Sequence, residues 1–209
     1  MATAAPPDQQ GAYPSLLTAL CARDTYTRGH CDRVCTLALA LGRAFDLAEH
    51  ELDALRLASQ LHDIGKIGVR DDVLFKRGRL DAAEWEEMKA HSIHGERIVN
   101  QTFLSNRAEV AAMVRHHHEA FDGSGYPDGL VQAAIPRCSR ILLVVDAYDA
   151  MTSGRPYRTP RSHAEAVGII VGEAGTRLDP VVVAAFTDLA RSPQWRDASA
   201  GSDLPQPRA

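Results

Sequence analysis

The sequence predicts an all-α fold, a helical bundle with a polar site among its helices. Apolar residues recur at steps of three and four, and turn-forming segments separate these stretches. No segment of any length alternates apolar and polar residues as a half-buried strand does. The 209 residues, 45% of them hydrophobic, suffice for one buried core. We therefore expect one domain over residues 15–191, between a disordered leader or linker at 1–14 and a disordered tail at 192–209.

Charge and cysteine usage narrow the classes of partner. The formal net charge of −4 argues against a nucleic-acid polymer, although a local basic site for a small anion remains compatible with it. The sequence contains no signal peptide and no apolar run of membrane length, so we expect no membrane partner. Its four cysteines lack CxxC spacing and are predicted to be free thiols. These features predict a cytoplasmic protein that acts on a small molecule.

The first three predicted helices bring two histidines to inward faces. They cover residues 15–23, 29–45 and 49–63. His30 lies one turn before the apolar stripe of the second helix, and His62 ends the apolar face of the third. A single histidine on a core face is more often a satisfied core residue than a ligand, so the remaining helices decide how these two are interpreted.

The next two predicted helices also carry histidines on their apolar faces. Asp81 and Glu84 form a capping box that starts a helix whose face is Trp85, Met88 and His91. An N-cap at Asn106 starts the following helix, whose apolar face leads to His117. A loop of turn formers at 122–129 follows.

Three further helices complete the predicted domain. The first runs from Arg140 to Met151 and carries Asp146 and Asp149 one turn apart. A capping box at Ser162 and Glu165 starts the second, and Asp179 with Pro180 starts the third; these end near residues 173 and 190.

Seven ionisable residues thus collect on inward faces: His30, His62, Asp63, His91, His117, His118 and Asp146. Burying them is costly unless they are paired or bind metal. Five imidazoles and two carboxylates exceed the needs of one tetrahedral zinc ion. They suit two divalent transition-metal ions of the iron or manganese type, bridged by a shared carboxylate, for which Asp63 is the natural candidate.

These residues stand in segments that resemble an HD-GYP domain, the branch of the HD phosphohydrolase superfamily that hydrolyses cyclic di-GMP. The resemblance covers about residues 16–189, and its segments are 24–30, 61–68, 88–91, 117–119, 122–127, 146–152, 155–158, 174–176 and 179–180. It implies an HD-domain helical bundle with the metal site in its core. One ion would be held by His30, His62, Asp63 and Asp146, and the other by Asp63, His91, His117 and His118.

The resemblance also implies substrate contacts and a reaction. Lys66, Tyr126, Arg155 and Arg158 match positions that contact the dinucleotide, and we assign His62, Asp63 and Lys66 to catalysis. Arginine forks and a lysine ammonium suit phosphate oxygens, and the tyrosine suits stacking or a hydrogen bond. The alternatives are a solvated helix end for the arginines and a loop anchor for the tyrosine. The implied reaction opens cyclic di-GMP to pGpG, and potentially GMP, through a hydroxide that bridges the metals.

Three positions depart from the family pattern or add to it. Tyr26 stands where some members hold a third metal with glutamate, so we expect two ions rather than three. His94 lies one turn after His91, and three roles stay open for it: a hydrogen-bonding partner of a metal ligand, a spare ligand, or a surface histidine. His116 points away from the His117 face and is interpreted as non-ligating.

Two other functions stay open at this point. The chain would alternatively be an HD phosphohydrolase that acts on another nucleotide, such as cyclic GMP-AMP or a mononucleotide. Otherwise it would be a module that binds cyclic di-GMP or docks a partner without turnover, although the intact ligand set favours catalysis. A regulatory domain, a partner protein and a homodimer are each compatible with the sequence.

Overall fold

The computed structural model of the chain describes residues 12–23, 27–154, 159–192 and Trp195. These residues form ten α-helices: α1 Ala12–Arg23, α2 Thr27–Ala44, α3 Glu49–Leu61, α4 Asp71–Leu74, α5 Ala82–Lys89, α6 His91–Asn100, α7 Arg107–His116, α8 Arg137–Thr152, α9 His163–Gly172 and α10 Pro180–Ala190. Two short 3₁₀ helices span Ile64–Gly68 and Gln132–Ala134. An isolated bridge joins Ala174 to Leu178, and no strand occurs within the described ranges. The predicted all-α fold is confirmed.

The core forms where helices α2, α3, α7 and α8 pack together. Helix α2 packs against α3 and α8, while α7 contacts α3 and α6. The interior consists of aliphatic and aromatic side chains with no exposed surface, among them Val34, Leu41, Leu55, Ile141 and Phe186. Full burial of each such side chain stabilises the fold by about 1.5–3 kcal/mol. This packing holds the helices that carry the site in fixed relative positions.

The helix starts agree with the sequence at all four predicted N-cap positions, and at three of them the side chain makes a capping hydrogen bond. Asp81 accepts a hydrogen bond from the N–H of Glu84, and Ser162 does the same for Glu165. Asp179 caps α10, with Pro180 at its first position. Asn106 stands at the N-cap of α7 as predicted, but its side chain makes no capping hydrogen bond. Its backbone (φ −102°, ψ 22°) lacks the extended conformation that aims a capping side chain at the first turn.

The helix predicted to run from Asp81 to His91 is two helices. Helix α5 ends at Lys89, Ala90 lies between the two helices, and α6 begins at His91. None of the residues of α5 is buried, so Trp85 and Met88 do not share an inward face with His91. His91 itself is buried at the start of α6.

Helix α3 ends two residues earlier than predicted and passes into the 3₁₀ helix Ile64–Gly68, here called the Lys66 turn. The glycine at position 65 is needed because the backbone of α6 lies very close. A Cβ atom on Gly65 would stand 1.8 Å from the carbonyl oxygen of His91 and 2.4 Å from the amide nitrogen of Gly95. This contact seats the Lys66 turn on the first turn of α6.

The described residues include part of the predicted leader and part of the predicted tail. Helix α1 begins at Ala12, three residues before its predicted start and inside the predicted leader. Residues 1–11 of that leader, and the predicted tail apart from Ser192 and Trp195, lie outside the described residues. No helix in the described ranges combines the length and the apolar character needed to cross a membrane.

Candidate metal centre

The candidate ligands lie in two neighbouring clusters. Each cluster joins three side chains whose ligand atoms lie within 4.8 Å of one another: His30, His62 and Asp63 in the first cluster, and His91, His117 and His118 in the second cluster. The Nε2 atoms of His30 and His62 are 3.1 Å apart, and those of His91 and His117 are 3.3 Å apart. Five of the six side chains are buried, and that of His118 is half-buried.

Asp63 lies between the two clusters. Its Oδ2 is 3.6 Å from Nε2 of His62 in the first cluster, while its Oδ1 is 3.7 Å from Nε2 of His91 in the second. The two oxygens of one buried carboxylate therefore face different sets of imidazoles. This arrangement suits a carboxylate shared by two ions, with one oxygen bound to each.

Asp146 reaches the first cluster from helix α8. Its Oδ1 lies 3.2 Å from Nε2 of His30, and its side chain is 17% exposed. The structure thus brings all seven predicted ligands together, from α2, α8, the ends of α3 and α7, and the start of α6.

Helix ends orient three of the histidines. The Nδ1 atom of each lies within hydrogen-bond distance of the backbone carbonyl three residues earlier: His62 and Ser59 at 2.7 Å, His91 and Met88 at 2.7 Å, and His117 and Val114 at 2.6 Å. A carbonyl only accepts, so Nδ1 carries the hydrogen and Nε2 keeps its lone pair. The Nε2 atoms, which face the clusters, are thereby prepared to bind a cation.

His30 is oriented by a carboxylate instead. Its Nδ1 lies 2.7 Å from Oδ2 of Asp149, whose side chain is fully buried. Arg33 donates to the same carboxylate from Nε at 2.6 Å and from Nη2 at 3.1 Å. The sequence analysis noted Asp149 but gave it no role, and it missed Arg33. The spacing carried a signal, because each stands three residues after a candidate ligand on its helix, Arg33 after His30 and Asp149 after Asp146.

The protonation states suit metal binding. Burial lowers the pKa of His117 well below its usual value and, together with His91, lowers that of His118 to about 3. Burial opposes ionisation of Asp63, but Lys66 and His62 outweigh it and hold the pKa of that carboxyl well below its usual range. Burial lowers the pKa of His30 as well, yet hydrogen bonds to Asp146 and Asp149 raise it to about 9. At neutral pH the second cluster therefore holds neutral imidazoles at His117 and His118 beside the ionised carboxylate of Asp63, whereas His30 in the first cluster is protonated and releases its proton when a cation binds.

The Lys66 turn is held by Asp63 and by a distant arginine. Lys66 Nζ donates to Oδ2 of Asp63 at 2.6 Å. Arg23, at the end of α1, donates to the carbonyl of Lys66 at 2.9 Å and also to those of Ile67 and Val69. It forms an ion pair with Asp71 at 2.7 Å. The sequence analysis missed Arg23, because no local spacing connects it with residues more than forty positions later.

Tyr126 lies on a tightly held loop beside the second cluster. Its ring centroid is 4.8 Å from that of His118, and its N–H donates to the His118 carbonyl at 3.2 Å. The chain can approach this closely because residue 125 is glycine. A Cβ atom added at this position would stand 2.0 Å from the backbone nitrogen of Ala120. The buried Glu119 accepts hydrogen bonds from the N–H groups of Asp128 and Leu130, at 2.7 and 3.0 Å. Burial raises the pKa of Tyr126, so its phenol is neutral.

The remaining predicted positions lie elsewhere. Arg155, Arg158 and Tyr26 are outside the described residues, so their predicted roles stay predictions. His116 belongs to a different group, with its Nε2 2.9 Å from Oδ2 of Asp128. His94 lies against Gly68, where a Cβ would meet its Nδ1 at 2.5 Å, and the two ligand clusters do not include it.

Comparisons with known proteins find a family, related sequences and a shared fold. The model of the HD domain family matches residues 14–182. A cyclic di-GMP phosphodiesterase of Thermotoga maritima is 40% identical over 172 residues, which are 81% of this chain and 46% of that protein. A 3′3′-cGAMP-specific phosphodiesterase of Vibrio cholerae is 37% identical over 165 residues, which are 79% of this chain and 35% of that protein.

A solved structure shares the fold. The crystal structure of a cyclic GMP-AMP specific phosphodiesterase of Vibrio cholerae matches with a TM-score of 0.71 at 22% identity, over 92% of this chain and 51% of that chain. At this identity the likeness concerns the fold alone. The chain spans less than half the length of the two relatives from Thermotoga maritima and Vibrio cholerae.

Proposed function

Since the chain belongs to the HD domain family, we propose that it is a metal-dependent phosphodiesterase that hydrolyses cyclic di-GMP to pGpG and onward to GMP. The resemblance to the HD-GYP branch is confirmed. The observation that carries the proposal is the placement of Asp63, with one oxygen toward each histidine cluster and Lys66 beside it. A phosphodiester bound there would meet two cation sites and a lysine ammonium together.

The residues present fit two divalent transition-metal ions. Imidazole nitrogens and carboxylate oxygens are suitable ligands for iron or manganese, and we propose one of these metals. Once His30 has released its proton, three carboxylates, those of Asp63, Asp146 and Asp149, outnumber the ammonium of Lys66 and the guanidinium of Arg33 among the described residues of the site, which leaves negative charge for cations to neutralise. When bound, two such ions supply Lewis acidity toward the phosphate and lower the pKa of a water.

The chain's own residues would bind and orient the substrate. Lys66, held by Asp63, would offset the charge that develops on the phosphate. Tyr126 would contact a base from the wall of the second cluster. Arg155 and Arg158 would hold phosphate oxygens or base edges, as the family resemblance implies. In the overall reaction the oxygen of water bonds to phosphorus, one P–O ester bond breaks, and the leaving 3′-oxygen gains a proton.

A second substrate is favoured by a specific observation. The Vibrio cholerae relative, which is named as specific for 3′3′-cGAMP, is nearly as similar to this chain as the cyclic di-GMP phosphodiesterase is. Cyclic GMP-AMP is therefore the alternative substrate. A binding module without turnover is the weaker proposal, since none of the seven predicted ligands is replaced.

We also propose a cytoplasmic location, which three buried free thiols at Cys31, Cys35 and Cys138 support. A regulatory domain or partner, or a homodimer, belongs to the same proposal, because the matched relatives are more than twice as long as the segment shared with this chain.

The proposed reaction is tested by a substrate panel. Anaerobically prepared protein, loaded with iron or manganese, is incubated with cyclic di-GMP, 3′3′-cGAMP, cyclic di-AMP and a mononucleotide. Chromatography of the products should show pGpG, followed by GMP, forming fastest from cyclic di-GMP. Faster hydrolysis of 3′3′-cGAMP would support the alternative substrate, and tight binding without any product would support the binding module.

Replacing Arg23 with Ala is expected to lower kcat/KM about tenfold, equivalent to about 1.4 kcal/mol, without loss of metal. The Lys66 turn would lose the hydrogen bonds that hold its carbonyls, and Lys66 would be positioned less precisely. Hydrolysis rates are measured for Arg23→Ala in the wild-type and Lys66→Ala backgrounds, as a double-mutant cycle.

The positioning role predicts that Arg23→Ala costs little once Lys66 is absent. Asp71→Asn is the matched control, because it removes the ion pair but leaves the three carbonyl contacts, and it should behave like the wild type. An equal loss with and without Lys66 would show that Arg23 only stabilises the fold.

A further inference from the structure

Helix α5 presents an exposed tryptophan at the edge of the site. Trp85 is 47% exposed, whereas tryptophan is normally among the more buried residues. None of the residues of α5 is buried, so the helix does not contribute this side chain to the core. Its position therefore calls for an explanation other than packing.

The Trp85 ring belongs to a row of aromatic rings that begins at a candidate metal ligand. His118 contacts Tyr126 with ring centroids 4.8 Å apart, and Tyr126 in turn meets Trp85 edge-to-face at 6.2 Å. The row thus runs from the second cluster outward to the surface of α5. A phosphodiester held at the clusters would place the base attached to it near this row.

A cation accompanies the row on the same helix face. Lys89 stands four residues after Trp85, one turn along α5, and its Nζ lies 5.9 Å from the centre of the Tyr126 ring. The exposed indole offers the flat apolar surface on which the bases of single-stranded nucleotides stack, and the ammonium of Lys89 beside it is paired with Glu86 at 2.7 Å.

From this geometry we infer that Trp85 is a stacking surface for a purine base of the cyclic dinucleotide. The inference rests on the proposed function and names a contact at the same site. Stacking is tolerant of base identity because every base presents a π-face, so Trp85 would strengthen binding of cyclic di-GMP and cyclic GMP-AMP alike. Base discrimination would then belong to other residues.

Tryptophan fluorescence tests the inference directly. The chain has two tryptophans, and Trp195 is buried. Trp195→Phe leaves Trp85 as the sole reporter. The replacement is conservative, since the ring packs on Phe186 at 5.3 Å and its Nε1 has no hydrogen-bond partner among the described residues. The metal-loaded Trp195→Phe protein is titrated with a hydrolysis-resistant bis-phosphorothioate analogue of cyclic di-GMP, and separately with inorganic phosphate, which has no base.

The analogue should change the Trp85 fluorescence saturably, and phosphate should not. Replacing Trp85 with Ala in the otherwise wild-type chain should raise the Kd of the analogue, measured by calorimetry, roughly 5- to 150-fold. Trp85→Phe should recover most of the affinity, and neither variant should change metal content.

Different measurements test the stacking role of Trp85 and the proposed phosphodiesterase activity. An unchanged Kd in Trp85→Ala, or a fluorescence response to phosphate equal to that of the analogue, would overturn the stacking role even if cyclic di-GMP is hydrolysed. Saturable quenching without hydrolysis would support stacking and contradict the phosphodiesterase. A protein that gives neither quenching nor hydrolysis would contradict both.

Discussion

Replacing Asp63 with Asn should leave a folded protein that loses its metal ions and hydrolyses no cyclic dinucleotide. The carboxylate presents one oxygen to each cluster, and the amide that replaces it offers a single neutral oxygen. Loss of a partner that only orients a ligand typically costs 10–100-fold in metal affinity or activity. Loss of a bridging ligand should cost more than about 100-fold. Elemental analysis, hydrolysis rates and far-ultraviolet circular dichroism measure the three expectations.

The matched control is Asp53→Asn, the same substitution at an exposed position of helix α3. It should bind metal and turn over substrate like the wild type. If Asp63→Asn kept turnover within a few-fold of the wild type, the assignment of Asp63 as the bridging group would be wrong.

Replacing Asp149 with Asn should weaken one metal site and spare the other. Among the described residues, the Asp149 carboxylate is hydrogen-bonded to His30 of the first cluster and to Arg33. The neutral amide has one acceptor oxygen in place of two, so it would hold the His30 ring less firmly and would leave Arg33 without its buried carboxylate. Affinity at the first site should fall about 10- to 100-fold. Breaking the buried ion pair should also lower the free energy of unfolding, by about 3 kcal/mol.

An anaerobic metal titration of Asp149→Asn should therefore show one tight and one weakened ion per chain, and thermal unfolding should occur at a lower temperature. Asp188→Asn serves as the control, since Asp188 forms an exposed ion pair with Arg191 on the last helix. Equal weakening of both ions would show that Asp149 supports the whole bundle and not His30 in particular.

The sequence predicted those features that depend on neighbouring residues. The caps at Asp81, Ser162 and Asp179 rest on interactions within one helical turn, and the structure contains all three. Helical periodicity placed His30 and His62 on inward faces, and the family resemblance added the grouping of the ligands. Both inferences rest on patterns that can be recognised in the amino-acid sequence without the structure.

Features that depend on tertiary contacts could not be predicted in this way. The backbone at Gly65 lies against His91 at the start of α6, a contact between segments 26 residues apart in the sequence. Trp85 is exposed although its spacing suggests a buried face. The hydrogen bond of Arg23 to the carbonyl of Lys66 joins residues 43 positions apart and leaves no local pattern.

The number of metal ions per chain tests the central claim most directly. The two oxygens of Asp63 face different clusters, and the family resemblance puts the ligand of a third ion at position 26, where the chain has tyrosine. A phenol with a pKa near 10 is a poor ligand at neutral pH. Anaerobic titration of the metal-free wild-type protein, with bound metal and hydrolysis of cyclic di-GMP measured at each step, should saturate at two ions, with full activity only at the second. Saturation at one ion or at three, or activity complete at the first, would contradict the account.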